Sequence, residues 1–320
     1  ILLDLDTGDR VPAWAELDAR GVDPAAAPLL IVPATSLVEG HRHAVALRGL
    51  IDTAGSPIEP GADYLARLAA PDDHTAALVE GLAAAGLDAR EMVVAWTFTV
   101  ASGESISGRL RHMWQETATE LGDGAPPFTV DSVEVEGLAK IVRGTFEVPN
   151  YLTGDGSTGS VLNNDGDPDG IPARNGTMES AFVCTLPALA DGPVPVVVYG
   201  HGLLGSRNEV LGIGGVGATA GIGFCALDWI GMSTVDVPTV ISVLSELSGF
   251  RTQPDRMQQG HLAWLLLGRL LASDDGFGSD PAFQDAAGAS VIDGARLALL
   301  GASQGGILGG APSALTSDWE

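Results

Sequence analysis

Leu297-Ala298-Leu299-Leu300-Gly301-Ala302-Ser303-Gln304-Gly305-Gly306 carries an apolar run straight into a Gly-x-Ser-x-Gly sequence. A serine flanked in this way suits a sharp strand-to-helix turn. The turn lifts the hydroxyl clear of the sheet, and the glycines leave room for the tight backbone. The chemistry open to Ser303 is nucleophilic acyl transfer, with Oγ attacking an acyl carbonyl. That reaction passes through a tetrahedral oxyanion, which two backbone N–H groups must meet. One expected donor is the residue after the nucleophile, Gln304. A second sequence supplies the other. Val196-Val197-Val198-Tyr199-Gly200-His201-Gly202-Leu203-Leu204-Gly205 is an apolar strand ending in His-Gly-x-x-Gly. Its Leu203 N–H is the expected second donor, and Gly202 lets that backbone close on a substrate. His201 is read as an architectural part of the loop.

A serine hydroxyl is a weak nucleophile near neutral pH unless a base takes its proton. All six histidines (His41, His43, His74, His112, His201 and His261) precede Ser303. His261 shares helical spacing with Met257, Trp264 and Leu265, which predicts a packing role. Asp228 ends an apolar strand and is expected to shape a loop at the site's rim. Asp318 is too close to Ser303 in sequence to serve as the acid.

Asn163-Asn164-Asp165-Gly166-Asp167-Pro168-Asp169-Gly170 places Asp165, Asp167 and Asp169 at alternate positions, as calcium loops do. The twelfth position from Asp165 is Gly176 and not Glu, so a solvated acidic loop is the expectation, and no metal site is assigned. The formal net charge of −25 argues against nucleic acid and anionic membranes as partners. No apolar run reaches the ~18 residues of a membrane span. With 45% hydrophobic and 18% charged residues among 320, the composition builds packed cores.

The elements that must position these residues fall into two parts. Residues 1–102 are β-rich, with short strands at 29–32, 43–47 and 93–100 between turn signals. Residues 61–88 switch to helical texture, which predicts a small sandwich with a helical insert. Residues 103–126 hold an amphipathic linking helix, with Ile106, Leu110, Met113 and Trp114 on one face. From 127 to 320 the pattern is β, then alternating β and α. Strands at 194–199, 224–229 and 296–300 are separated by helical stretches at 207–220 and 254–272. This alternation predicts a mostly parallel sheet with helices on both faces.

Gly-His-Gly-Leu-Leu-Gly at 200–205, followed by Gly-Ala-Ser-Gln-Gly at 301–305, resembles the α/β-hydrolase serine esterases and lipases. Pro33-Ala34-Thr35-Ser36-Leu37-Val38-Glu39-Gly40 followed by Leu50-Ile51-Asp52-Thr53-Ala54-Gly55 resembles bacterial Ig-like modules. Together they look like bacterial extracellular lipase or esterase proteins. The hydrolase resemblance implies Ser303 as nucleophile and Gln304 and Leu203 as oxyanion donors, acting on carboxylic esters without a cofactor. It also implies the chain order Ser, acid, His. The acid and histidine are therefore expected beyond residue 320, in a chain trimmed at both ends. The family topology would make Cys184 and Cys225 cross-strand neighbours, able to form a disulfide in an exported protein. An extracellular or cell-envelope location is the matching expectation. Two other readings stay open: a catalytically inactive hydrolase-like binding protein, and a serine acyltransferase.

Overall fold

The computed structural model describes residues 1–20, 27–167 and 170–319. They form two compact units, Ile1–Ile106 and Ser107–Glu320.

In the first unit, β1 (Leu2–Asp4), β2 (Arg10–Val11), β3 (Ala13–Leu17), β4 (Leu29–Pro33) and β5 (Arg42–Leu47) come first. Helices α1 (Ala62–Ala69) and α2 (Asp73–Ala84) follow, then β6 (Val94–Thr99). One antiparallel sheet runs in the order β2-β1-β5-β6, and β3 and β4 pair separately. Alternation along the strands decides what is buried where. Leu3, Ala44 and Ala46 point to one face and pack against Tyr64 of α1 and Leu78 and Leu82 of α2. Asp72 starts α2 by accepting the Thr75 N–H, which satisfies one otherwise unpaired donor of the first turn. Among the described residues the helices of the insert cover this face, and β3 with β4 makes a second, two-stranded sheet.

Helix α3 (Gly103–Leu121) is followed by the strands of the second unit: β7 (Phe128–Glu136), β8 (Ala139–Pro149), β9 (Thr177–Pro187) and β10 (Val194–Gly200). Next come α4 (Glu209–Ala220), β11 (Gly223–Leu227), α5 (Val237–Ser245), α6 (Thr252–Ala272), β12 (Ile292–Gly301) and α7 (Gln304–Ser313). The six strands lie in the order β12-β10-β11-β9-β8-β7. Only β12, β10 and β11 are mutually parallel; β9, β8 and β7 join antiparallel. The sheet is thus mixed, which corrects the expectation of a mostly parallel one. Helical crossovers force parallel neighbours, whereas β7 to β9 are joined by non-helical connections and fold back antiparallel.

Helices do cover both faces. Phe182, Cys184, Val196, Val198, Cys225 and Leu227 pack against the buried run Leu262–Leu267 of α6. Val183 and Ala226, on the opposite face, pack against Val210 of α4. Trp229 and Trp264 stack with ring centroids 4.4 Å apart, both fully buried. Truncating either to Ala removes contacts worth about 3–5 kcal/mol. Cys184 and Cys225 stand directly opposite each other on β9 and β11 and are joined as a disulfide.

Candidate active site

Parallel pairing of β10 and β12 sets Gly200 beside Gly301, so both chains leave the sheet together at one edge. On β12 the chain turns at once into α7, and Ser303 occupies the turn with φ 50° and ψ −118°. A non-glycine residue held there carries about 1–3 kcal/mol of strain. The side chain is exposed. The turn is closed by Ala302 N–H to Gly200 O at 2.9 Å and by Gly305 N–H to Ala302 O at 2.9 Å. Close approach explains the flanking glycines. A Cβ on Gly301 would lie 2.2 Å from Gly306 N, and one on Gly305 would lie 2.4 Å from Gly200 O.

The loop after β10 lies against this turn: a Cβ built on Gly202 would sit 3.7 Å from Ser303 Cβ. Leu204 has φ 57°, so two of the three described non-glycine residues with positive φ meet at this edge. Gly205 N–H bonds Gly202 O at 3.0 Å, and Leu204 N–H bonds Met232 O at 2.7 Å. Among the described residues, neither the Leu203 nor the Gln304 N–H donates to another backbone group. Gln304 stands at the first helical position of α7, where no intrahelical acceptor exists. The Leu203 side chain points to solvent, 59% exposed.

His201 is fully buried. Its Nδ1 lies 2.7 Å from Gly202 O, which can only accept, so Nδ1 donates. Its Nε2 accepts the Trp229 N–H at 2.8 Å. Both ring nitrogens are therefore committed to tying the loop to the chain after β11. Asp228 accepts the Arg207 N–H at 2.8 Å through Oδ1 and the Arg207 guanidinium through Oδ2. It anchors the far end of the same loop. His261 donates from Nδ1 to Met257 O, four residues back at 2.6 Å, and packs edge-on to Trp229. Burial lowers its pKa, against the opposing hydrogen bond to the Met257 carbonyl. His112 faces Glu116 and the Tyr151 ring. Among the described residues, no histidine nitrogen hydrogen-bonds Ser303 Oγ.

A buried ion pair missed at the level of sequence braces the loop from behind. Asp236 Oδ1 accepts from Arg256 Nε at 3.0 Å, with both side chains almost wholly buried. Asp236 Oδ2 accepts the N–H groups of Gly231 and Ser233 and the Ser233 hydroxyl. Arg256 also donates to the carbonyls of Gly156 and Ser157. The segment so held supplies Met232 O to Leu204, and Thr234 N–H to Gly205 O. Ser233-x-x-Asp236 followed by Pro238 is a capping-box signature that could have marked the turn. Nothing local could have named Arg256, 20 residues on in the chain.

A cleft of about 200 Å³ is lined by Val148, Ala181, Ile230, Val235 and Ala263 together with Glu179, Ser180, Arg207, Asp228 and Gln259; Ser303 and the Gly202–Leu203 loop are not part of its lining. The acidic loop lies elsewhere. Asp165 and Asp167 are exposed, Asp165 with φ 53°, and Asp169 lies outside the described residues. Among the described residues these carboxylates form no metal-binding group of three.

No family model and no curated protein matches the chain. Solved structures do. An acetyl xylan esterase from Thermoanaerobacterium sp. is 17% identical at a TM-score of 0.39, over 66% of this chain and 56% of its own. An acetyl xylan esterase from Paenibacillus sp. R4 is 16% identical at a TM-score of 0.37, over 65% of this chain and 56% of its own. A glucuronoyl esterase from Teredinibacter turnerae is 14% identical at a TM-score of 0.32, over 62% of this chain and 45% of its own. The chain thus spans about half the length of these structures. At such identities and TM-scores the likenesses carry no argument about this chain's chemistry, which rests on its own residues.

Proposed function

We propose that the second unit carries the nucleophile and oxyanion site of a serine hydrolase acting on carboxylic esters, on an α/β-hydrolase type of scaffold. One observation carries the reading: Ser303 is exposed in a strained backbone conformation between a parallel strand and a helix, against a glycine loop. Such strain persists only where the surroundings enforce it, and it gathers at functional positions.

In this reading Ser303 Oγ attacks the acyl carbon and its proton passes to a base. The carbonyl π electrons move to oxygen, and the Gln304 and Leu203 N–H groups hold the oxyanion. Losing one such donor costs about 3–4 kcal/mol in the transition state. Collapse expels the alcohol and leaves an acyl ester on Ser303, which water then cleaves to acid and free serine. His201 and Asp228 are positioning residues, since each holds the loop and neither is free to take the Ser303 proton. The buried disulfide suits an oxidising compartment, which supports export.

The test is covalent labelling of the natural protein with a fluorophosphonate probe. Labelling should map to Ser303 and vanish in Ser303→Ala, together with hydrolysis of a short-chain aryl ester. A correctly folded natural protein that resists the probe would favour the inactive, binding-protein reading. Labelling unchanged in Ser303→Ala would overturn the assignment of the nucleophile.

A further inference from the structure

The first unit holds a cluster that the acyl chemistry does not use. Asp4 of β1 stands directly opposite His43 of β5 in the antiparallel register. Asp6 and His41, two residues away on each chain, lie just outside the strands, Asp6 in the turn after β1 and His41 just before β5. An Asp-x-Asp segment thus faces a His-x-His segment; Asp4 and His43 point away from α1 and α2, while Asp6 lines a hollow beside α2 and accepts the Arg42 N–H at 2.6 Å. Single ligand atoms of Asp4, Asp6 and His41 all lie within 4.8 Å of one another.

A second observation is independent of that spacing. His43 is 1% exposed, and its Nε2 has no hydrogen-bond partner. Its Nδ1 lies 3.3 Å from His41 O, an atom that only accepts, so the ring proton sits on Nδ1. His43 Nε2 faces Asp4 Oδ2 at 3.7 Å, beyond hydrogen-bond distance. Phe98 stacks on the ring at 5.6 Å and fixes its plane. A buried ring nitrogen without a partner is costly, and a cation bound between it and the carboxylate would remove that penalty. Donation of the second ring nitrogen to a backbone carbonyl is also how metal-bound histidines are commonly oriented.

We propose that Asp4, Asp6 and His41 bind one divalent transition-metal ion of the zinc class, with His43, whose Nε2 lies 3.7 Å from Asp4 Oδ2 but outside that group of three, moving in as the fourth ligand. Two imidazoles with two carboxylates suit such ions better than Ca²⁺ or Mg²⁺, which take all-oxygen sets. His41 Nδ1, now 2.8 Å from Asp4 Oδ2, gives up its proton on ligation. Asp4 needs no rebuilding, because its Oδ1 is held by the Asp6 and Thr7 N–H groups while Oδ2 faces the cluster. The site stands apart from the Ser303 reading and can fail or hold on its own.

The test is calorimetric titration of the chelator-treated protein with Zn²⁺, Ca²⁺ and Mg²⁺. One Zn²⁺ per chain is expected, with affinity at least about tenfold weaker in His41→Ala and in Asp6→Asn. Neither variant removes a buried side chain. Histidine ring resonances of His41 and His43 should shift on Zn²⁺ addition, which reads the site without any substitution. Absence of saturable Zn²⁺ binding, a preference for Ca²⁺, or Zn²⁺ binding unaltered in His41→Ala would each overturn the proposal.

Discussion

At the scale of single residues, Ser303 sets stability against reactivity. Its φ of 50° is tolerated by glycine at little cost, so Ser303→Gly should stabilise the second unit by about 1 kcal/mol. Ser303→Ala keeps the Cβ and should not. Chemical denaturation of the two variants beside the native protein separates strain from loss of the hydroxyl. His261 gives the second prediction. Burial holds its pKa below the ordinary value of 6.5, so the unfolded chain binds the proton more readily than the folded one. Its contribution is therefore whole above pH ~6.5 and is lost as pH falls toward the depressed folded value. His261→Phe should flatten that part of the stability–pH curve, as read by denaturant midpoints from about pH 7 to 5. The turn at Ser303 and the loop glycines could be read locally, because a turn and its residues are adjacent. The Arg256–Asp236 pair could not, since its partners come from separate elements and only the folded chain brings them together.

Among the elements, the Cys184–Cys225 bridge is the clearest lever. It closes a stretch of 41 residues that contains β10, α4 and the loop facing Ser303. Replacing both cysteines with alanine should lower unfolding free energy by about 2–4 kcal/mol. Unfolding curves of this double variant against the oxidised protein measure it, and a loss well under 1 kcal/mol would count against the bridge as a stabilising element. Continuous apolar runs made β10 and β12 plain in the sequence, and α6 begins two residues before the helical stretch read at 254–272. Helix α5 passed unseen: Val237-Pro238-Thr239-Val240-Ile241-Ser242-Val243 is β-branched and favours neither periodicity. The antiparallel half of the sheet was hidden for a different reason. Local alternation reveals strands, but their order and direction depend on partners far along the chain.

On the scale of the whole molecule, each unit has its own buried core, one centred on Leu3, Leu82 and Met92 and the other on the α6 face of the mixed sheet. Scanning calorimetry should resolve two transitions. The cysteine double variant should move only the transition of the second unit. A single transition that shifts as one in that variant would contradict the division. The acyl chemistry proposed above draws on residues of the larger unit.

The meeting of β10 with the start of α7 has a consequence for anyone who randomises this protein. With 2.4 Å from a Gly305 Cβ to Gly200 O and 2.2 Å from a Gly301 Cβ to Gly306 N, no side chain of any size can be accommodated by repacking, since the obstacles are main-chain atoms. A saturation library should recover glycine alone at both positions. Glycine retained at both positions would mark the strand-to-helix turn directly in the library's survivors.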